Sequence, residues 1–158
     1  MTQPAVSTDV YAGFWIRVWA TLIDTFLATL ILVPILLALY GKDYFSSDAL
    51  LAGPADFLLT WVLPAVAVIL FWMYKAATPG KIAVGLRIVD VKSGAMPTTG
   101  QCIGRYLGYY VSLLPFAAGI VWVAFDSRKQ GFHDKLAGTV VVRRRVAVAE
   151  TPTFQPPA

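Results

Sequence analysis

The sequence predicts an all-α integral membrane protein with two or three transmembrane helices and a short β-hairpin at the membrane surface. Charged residues make up only 14% of the 158 positions and apolar ones 58%, where a soluble domain carries about 25% charged residues. Mean hydropathy is +0.66. The apolar residues also gather into long uncharged stretches. Such a chain has too little polar surface to cover a globule in water, which excludes an ordinary soluble domain and a disordered chain alike.

Residues 1–13 form an N-terminal segment with no Lys or Arg, followed by an apolar run too long for a signal-peptide core, so the segment is expected to be retained. The first helix is expected over 14–40, where 25–41 is uncharged and the upstream turns hold only Arg17 and Asp24. The second is expected over 57–74, an uncharged stretch of 18 residues with Pro64 as a kink. The third candidate, 106–125, has 20 uncharged residues but contains Gly108, Pro115 and Gly119. Trp15, Trp19, Trp72 and Trp122 fall near these ends, where an amphipathic ring favours the headgroup layer.

Between the second and third stretches, 82–91 is rich in Val and Ile and ends in Ser93-Gly94, a strand-and-turn pattern; 139–143 is a second strand candidate. Pairing the two at the membrane surface would satisfy backbone groups that lipid cannot. The membrane domain is thus 14–145. Residues 146–158, with Pro152, Pro156 and Pro157 and no periodicity, are expected to be a disordered tail.

The distribution of cations poses a conflict. The loop after the first helix holds only Lys42, whereas Lys75, Lys81, Arg87, Lys92 and Arg105 follow the second stretch and Arg128, Lys129, Lys135 and Arg143 to Arg145 follow the third. By the positive-inside rule the two basic segments belong on one side, yet three full spans would separate them. Re-entry of 106–125, broken near Pro115 and Gly119, removes the conflict. Full crossing is the alternative.

Arg17 and Asp24 are seven residues apart and share one helix face with Thr21. A carboxylate at the centre of a spanning helix costs about 2.5 to 3.5 kcal/mol and persists only if paired, hydrated or protonated. Asp24 is therefore either an ion or proton site tuned by Arg17, or a clasp that hydrogen-bonds a neighbouring helix while Arg17 reaches lipid phosphates.

Gly13-Phe14-Trp15-Ile16-Arg17 through Ile23-Asp24, then Thr78-Pro79-Gly80-Lys81, Gly85-Leu86-Arg87-Ile88-Val89, Arg105, and finally Arg128 through Thr139 with its His133-Asp134-Lys135 core together resemble the RDD family of bacterial membrane proteins. The resemblance spans about 13–145. It implies a small membrane domain with a proposed transport role, and it assigns the family's arginine to Arg17 and its first aspartate to Asp24. The second aspartate is Asp134, with Asp126 the competing position. Phe132 stands where leucine is common in the family.

The Thr78-Pro79-Gly80-Lys81 run lacks the upstream glycine and the following Ser/Thr of a phosphate loop, and reads better as a turn that anchors Lys81 at headgroups. His133 beside Asp134 is either a proton relay or, with Asp134 as an N-cap, part of a local staple. Cys102 has no histidine beside it in sequence, so no nucleophile and base are recognisable and catalysis is not expected. One Cys and one His exclude the common zinc sites, and no cofactor is expected. The candidate ion or solute site is Arg17, Asp24 and Asp134, with Arg105, His133, Asp126 and Thr21 in support. The expected partners are the bilayer with its anionic headgroups and further copies of the chain or another membrane protein, not nucleic acid. The leading function is passage of a small ion or solute across the inner membrane by an oligomer; the alternative is a non-transporting accessory protein.

Overall fold

The computed structural model describes residues 8–46 and 51–145. The expected tail, 146–158, lies outside them. Strand β1, Thr8–Tyr11, leads into helix α1, Phe14–Tyr40, which has the predicted bounds and ends on Gly41 at φ 75°. A 3-10 turn, Lys42–Ser46, follows. Helix α2 covers Pro54–Lys75, three residues longer at its start than expected because Pro54 occupies the first turn, where a missing N–H does no harm. The interruption expected at Pro64 takes the form of a π-helical turn, Leu58–Val62, just before the ring. Both helices are long and apolar enough to cross a membrane.

A short helix α3, Pro79–Ala83, follows α2, and strand β2 covers only Leu86–Asp90. The strand expected from residue 82 thus begins four residues later, because Pro79 at the first helical position commits the Thr78-Pro79-Gly80-Lys81 run to a helical turn. Helix α4, Thr99–Leu113, starts seven residues before the expected third span and carries Arg105 inside it. Its start is set by a capping box: the Thr98 hydroxyl accepts from the Gln101 N–H at 3.3 Å, and the Gln101 side-chain oxygen accepts from the Thr98 N–H at 2.9 Å. Thr98→Ala is expected to lower stability by about 1 kcal/mol, measured by thermal unfolding in mild detergent. The chain then breaks at Leu114 to Ala117, with Phe116 and Ala117 at positive φ, and helix α5, Ala118–Val121, with its 3-10 extension to Ala124, turns back at 115° to α4. Helix α6, Phe132–Ala137, ends on Gly138 at φ 64° and feeds strand β3, Thr139–Arg145.

The expected hairpin is a three-stranded antiparallel sheet in the order β1-β3-β2. β3 lies in the centre, with Val141 opposite Ile88 and Arg143 opposite Val10. β1, Thr-Asp-Val-Tyr, was not foreseen. This sheet bears on the topological conflict, because the strand before α1, the strand after α2 and the strand after the bent α4–α5 segment all lie in it. The bent segment therefore leaves the sheet and returns to it on the same side. Its tip is apolar and open, with Leu114 81% and Phe116 fully exposed.

The core sits where the sheet meets the helices: Ala12, Ala20, Trp72, Leu86, Ile88, Cys102 and Val141 pack together. Trp72, expected at the headgroup layer, is buried here and stacks on Tyr109 with centroids 6.0 Å apart. Trp15, Trp19 and Trp122 are exposed.

Candidate functional site

The charged residues that the sequence places far apart form two neighbouring clusters between α1, α3, α4 and α6. In the first, Asp134 lies fully buried on α6. Its Oδ2 accepts from the Arg17 Nη1 at 2.5 Å and from the Gly131 N–H at 3.1 Å. Its Oδ1 lies 2.6 Å from Arg105 Nη1, an ion pair whose angle falls outside hydrogen-bond geometry. Arg17 also donates to the carbonyls of Ala12 and Lys129 at 3.1 and 2.5 Å. Arg105 donates to Thr139 Oγ1 at 2.9 Å and lies over the Trp72 ring at 5.3 Å. One carboxylate thus joins α1, α4 and α6.

In the second cluster Asp24 holds the start of α3. Its Oδ2 accepts from the Thr78 hydroxyl at 2.5 Å and its Oδ1 from the Gly80 N–H at 2.6 Å. Asp24 thus serves as an N-cap supplied from another helix. Gly80 permits this approach: a Cβ there would fall 2.1 Å from the Ala20 carbonyl oxygen. The buried Lys81 donates to Thr78 Oγ1 at 3.3 Å, completing a Lys-Thr-Asp relay, and lies 5.9 Å over Trp72. Among the described residues no carboxylate lies within ion-pair distance of it. Burial pushes its pKa below the ordinary lysine value.

Two cavities flank Lys81. One of about 520 Å³ runs between α1 and α2 and is also lined by Thr78, Lys81 and Tyr109; the other, of about 330 Å³, is lined by Arg17, Lys81, Arg105, Tyr109 and His133 among others. Thr21, Lys81 and Tyr109 border both. Their charged walls hold Arg17, Lys81, Arg105 and Asp24, with Asp134 directly behind.

His133 stacks on Tyr109 with centroids 3.9 Å apart, its Nδ1 is 3.3 Å from Ser112 Oγ and its Nε2 3.7 Å from Asp134. The order Ser-His-Asp suggests a catalytic triad, but Ser112 is fully buried, gives its proton to the Gly108 carbonyl at 2.8 Å and accepts from the His133 N–H at 3.1 Å. The set packs α4 against α6; a Cβ on Gly108 would lie 2.9 Å from His133 Cα.

Burial works against ionisation of both groups on α6. It pushes the His133 pKa down to about 3, with Asp134 opposing and Arg105, Arg17 and Lys81 assisting. For Asp134 burial acts upward, but the Arg105 and Arg17 guanidiniums prevail and hold its pKa at about 2. Both folded values lie below the unfolded ones, so the unfolded chain binds these protons first on acidification. Stability is expected to fall as the pH drops below about 6.5, through His133, and again below about 4, through Asp134. Unfolding midpoints in detergent between pH 7 and pH 4 check this; a flat or rising profile contradicts it.

Each expected site residue has a definite place. Arg17 pairs with Asp134 and with backbone carbonyls, not with Asp24. Asp24 takes the interhelical clasp geometry. Asp134 is not an N-cap; it sits in the first turn of α6 and accepts from Gly131. Asp126 lies outside the clusters, paired with the exposed Lys135 at 2.6 Å. Thr21 lines both cavities while its hydroxyl bonds the Arg17 carbonyl. Lys81, expected at headgroups, is buried because α3 folds onto α1; with Thr78, Trp72 and Tyr109 it is what sequence reasoning missed. Cys102, Arg105, Gly108 and Ser112, spaced three or four apart and all buried, form one stripe that could have revealed this face of α4.

The RDD family profile matches residues 11–138. The uncharacterized protein RP437 of Rickettsia prowazekii is 30% identical, covering 85% of this chain and 96% of its own length. The uncharacterized membrane protein YteJ of Bacillus subtilis is 31% identical, covering 88% and 85%. The uncharacterized protein YxaI of the same organism is 31% identical, covering 83% and 96%. No solved structure matches.

Proposed function

The chain belongs to the RDD family of membrane proteins, and from that premise we propose that it is a multi-pass protein of the bacterial inner membrane that passes a small solute through the buried charged site, working as an oligomer. The observation that carries this reading is Lys81, a buried ammonium with no carboxylate within ion-pair distance among the described residues, standing between two cavities. A charge kept from water without a counter-ion is costly, and in a membrane protein it marks a solute pathway more often than a scaffold. Arg17, Lys81 and Arg105 outnumber Asp24 and Asp134, which favours an anionic group. The sheet side faces the cytoplasm, and its exposed Lys75, Lys92 and Arg128 suit anionic headgroups. An oligomer would close the lipid-facing side of the site, since α1 and α2 approach each other little and leave a cavity between them.

Flux from proteoliposomes loaded with sodium, potassium, chloride or phosphate tests this. Lys81→Met is expected to reduce at least tenfold whichever flux the native protein supports. Rates equal to those of protein-free vesicles for every ion tested would remove these ions as the solute, and with palmitate added to the set would remove the transport reading. The observation favouring the accessory reading is that both oxygens of Asp24 and of Asp134 already have partners within the chain. On that reading Asp24→Asn, which leaves one donor facing a poorer acceptor, lowers stability by about 1 to 2 kcal/mol with no flux to lose. Thermal unfolding beside the flux assay separates the two.

A further inference from the structure

The larger cavity has two chemically different ends. Along its length it is walled by Leu27 and Ile31 of α1, Val68 and Phe71 of α2 and Leu113 of α4. At its polar end lies the buried Lys81, beside Thr78 and Asp24. Among the described residues Lys81 has one hydroxyl partner for its three protons. Asp24, at the same end, has one oxygen turned to the Gly80 N–H and the other to Thr78.

We propose that this cavity holds an anionic amphiphile with a single alkyl chain, of the long-chain fatty-acid class, with its head group at Lys81 and its chain between α1 and α2. The proposal rests on the reading of the paired cavities as a solute site and names that site's substrate class. An amphiphile answers both ends at once. A small inorganic anion would pair Lys81 but leave the apolar walls without contacts, and a hydrocarbon would fill the walls but leave the buried ammonium without an anion. One such ammonium matches a single carboxylate, because Arg17 and Arg105 already face Asp134. The volume, about 520 Å³, is that of a ligand pocket. Its place between two helices that cross the membrane gives such a ligand entry from the bilayer.

The test uses the full-length protein in nanodiscs of zwitterionic phosphatidylcholine and a palmitic acid analogue with a photoreactive diazirine in mid-chain. Saturable labelling is expected on residues 24–31 and 64–71, displaced by palmitate and not by butyrate, inorganic phosphate or hexadecanol at equal concentration. Lys81→Met is expected to weaken binding about tenfold or more, as loss of a charge-assisted contact does. Ala28→Trp, which fills the apolar length and keeps every charge, is expected to weaken it similarly and serves if Lys81→Met does not fold. Unsaturable labelling of the outer faces of α1 and α2 would overturn the proposal. So would displacement by butyrate or phosphate as good as by palmitate, displacement by a two-chain phospholipid, or native affinity in both variants. Ion flux without saturable labelling removes the amphiphile and leaves the transport reading standing; saturable labelling with no movement of ions or of palmitate across the vesicle membrane removes the transport reading and leaves the binding site.

Discussion

Asp134→Ala is expected to be the most damaging single substitution in this protein, lowering stability by about 3 to 5 kcal/mol and removing most folded protein from detergent extracts. The carboxylate is fully buried and Arg105 nearly so, at 1% exposure, while Arg17 keeps 11%. Removing the anion leaves two guanidiniums facing each other out of water, and Arg105 already has its Nε and Nη2 without partners. The loss is therefore the penalty of uncompensated charge, more than the worth of either pair. Adding Arg105→Met to Asp134→Ala is expected to restore part of the stability, since one stranded cation goes with it. Asp126→Ala supplies the contrast: its partner Lys135 is 44% exposed, and such a pair contributes less than about 1 kcal/mol. Thermal unfolding of the four proteins distinguishes the two aspartates directly, and equal effects at 126 and 134 would contradict the geometry.

The second large effect is expected at Gly80, where alanine lowers stability by about 3 kcal/mol. The new methyl would sit 2.1 Å from the Ala20 carbonyl oxygen and 2.9 Å from Asp24 Cγ. Backbone cannot yield as a flexible side chain does, so α3 must lift from α1 and the Asp24 bond to the Gly80 N–H is lost. Lys81 then moves with α3, and both cavities change shape. Gly104, on α4, has open space at its Cβ position, and Gly104→Ala is expected to be neutral or to stabilise by about 0.5 to 1 kcal/mol. Unfolding in detergent measures both; a Gly80→Ala protein as stable as the native one would mean that α3 does not lie against α1.

The legible parts of the fold are those set by local composition. The 27-residue apolar run of α1 has no competing signal, and its bounds follow from Gly13 and Gly41. The Pro115–Gly119 break and the repeated placement of Lys and Arg suggested a broken third segment, re-entrant or fully crossing, and the segment is bent by 115° at that break. What was illegible depends on long-range pairing. β1 is four residues with weak alternation and becomes a strand only because β3 offers it an edge. α3 is hidden in a Val/Ile-rich stretch, where strand propensity suggests one element and Pro79 starts another. At the site, Arg17, Asp24 and Asp134 were legible because charges inside an apolar helix, and a motif shared with a family, stand out. That the two aspartates would serve different clusters was not, since the seven-residue spacing of Arg17 and Asp24 suggests a pair that tertiary partners at Asp134 and Gly80 divide. The burial of Lys81 was illegible for the same reason: it depends on α3 packing on α1, which no local pattern encodes.

All of this depends on the chain returning to the sheet side after α5, so that α6 can bring Asp134 to Arg17. Accessibility of single cysteines tests that arrangement most directly. In a Cys102→Ala background, Lys42→Cys, Lys92→Cys and Ser127→Cys place thiols at three exposed positions, for reaction with a membrane-impermeant reagent in intact cells and in inverted vesicles. The expected result is that 92 and 127 react together, in inverted vesicles, and 42 only in intact cells. If 127 reacts with 42 instead, the segment 99–124 crosses the membrane completely, Asp134 starts from the opposite side to Arg17, and the charged site described here does not form.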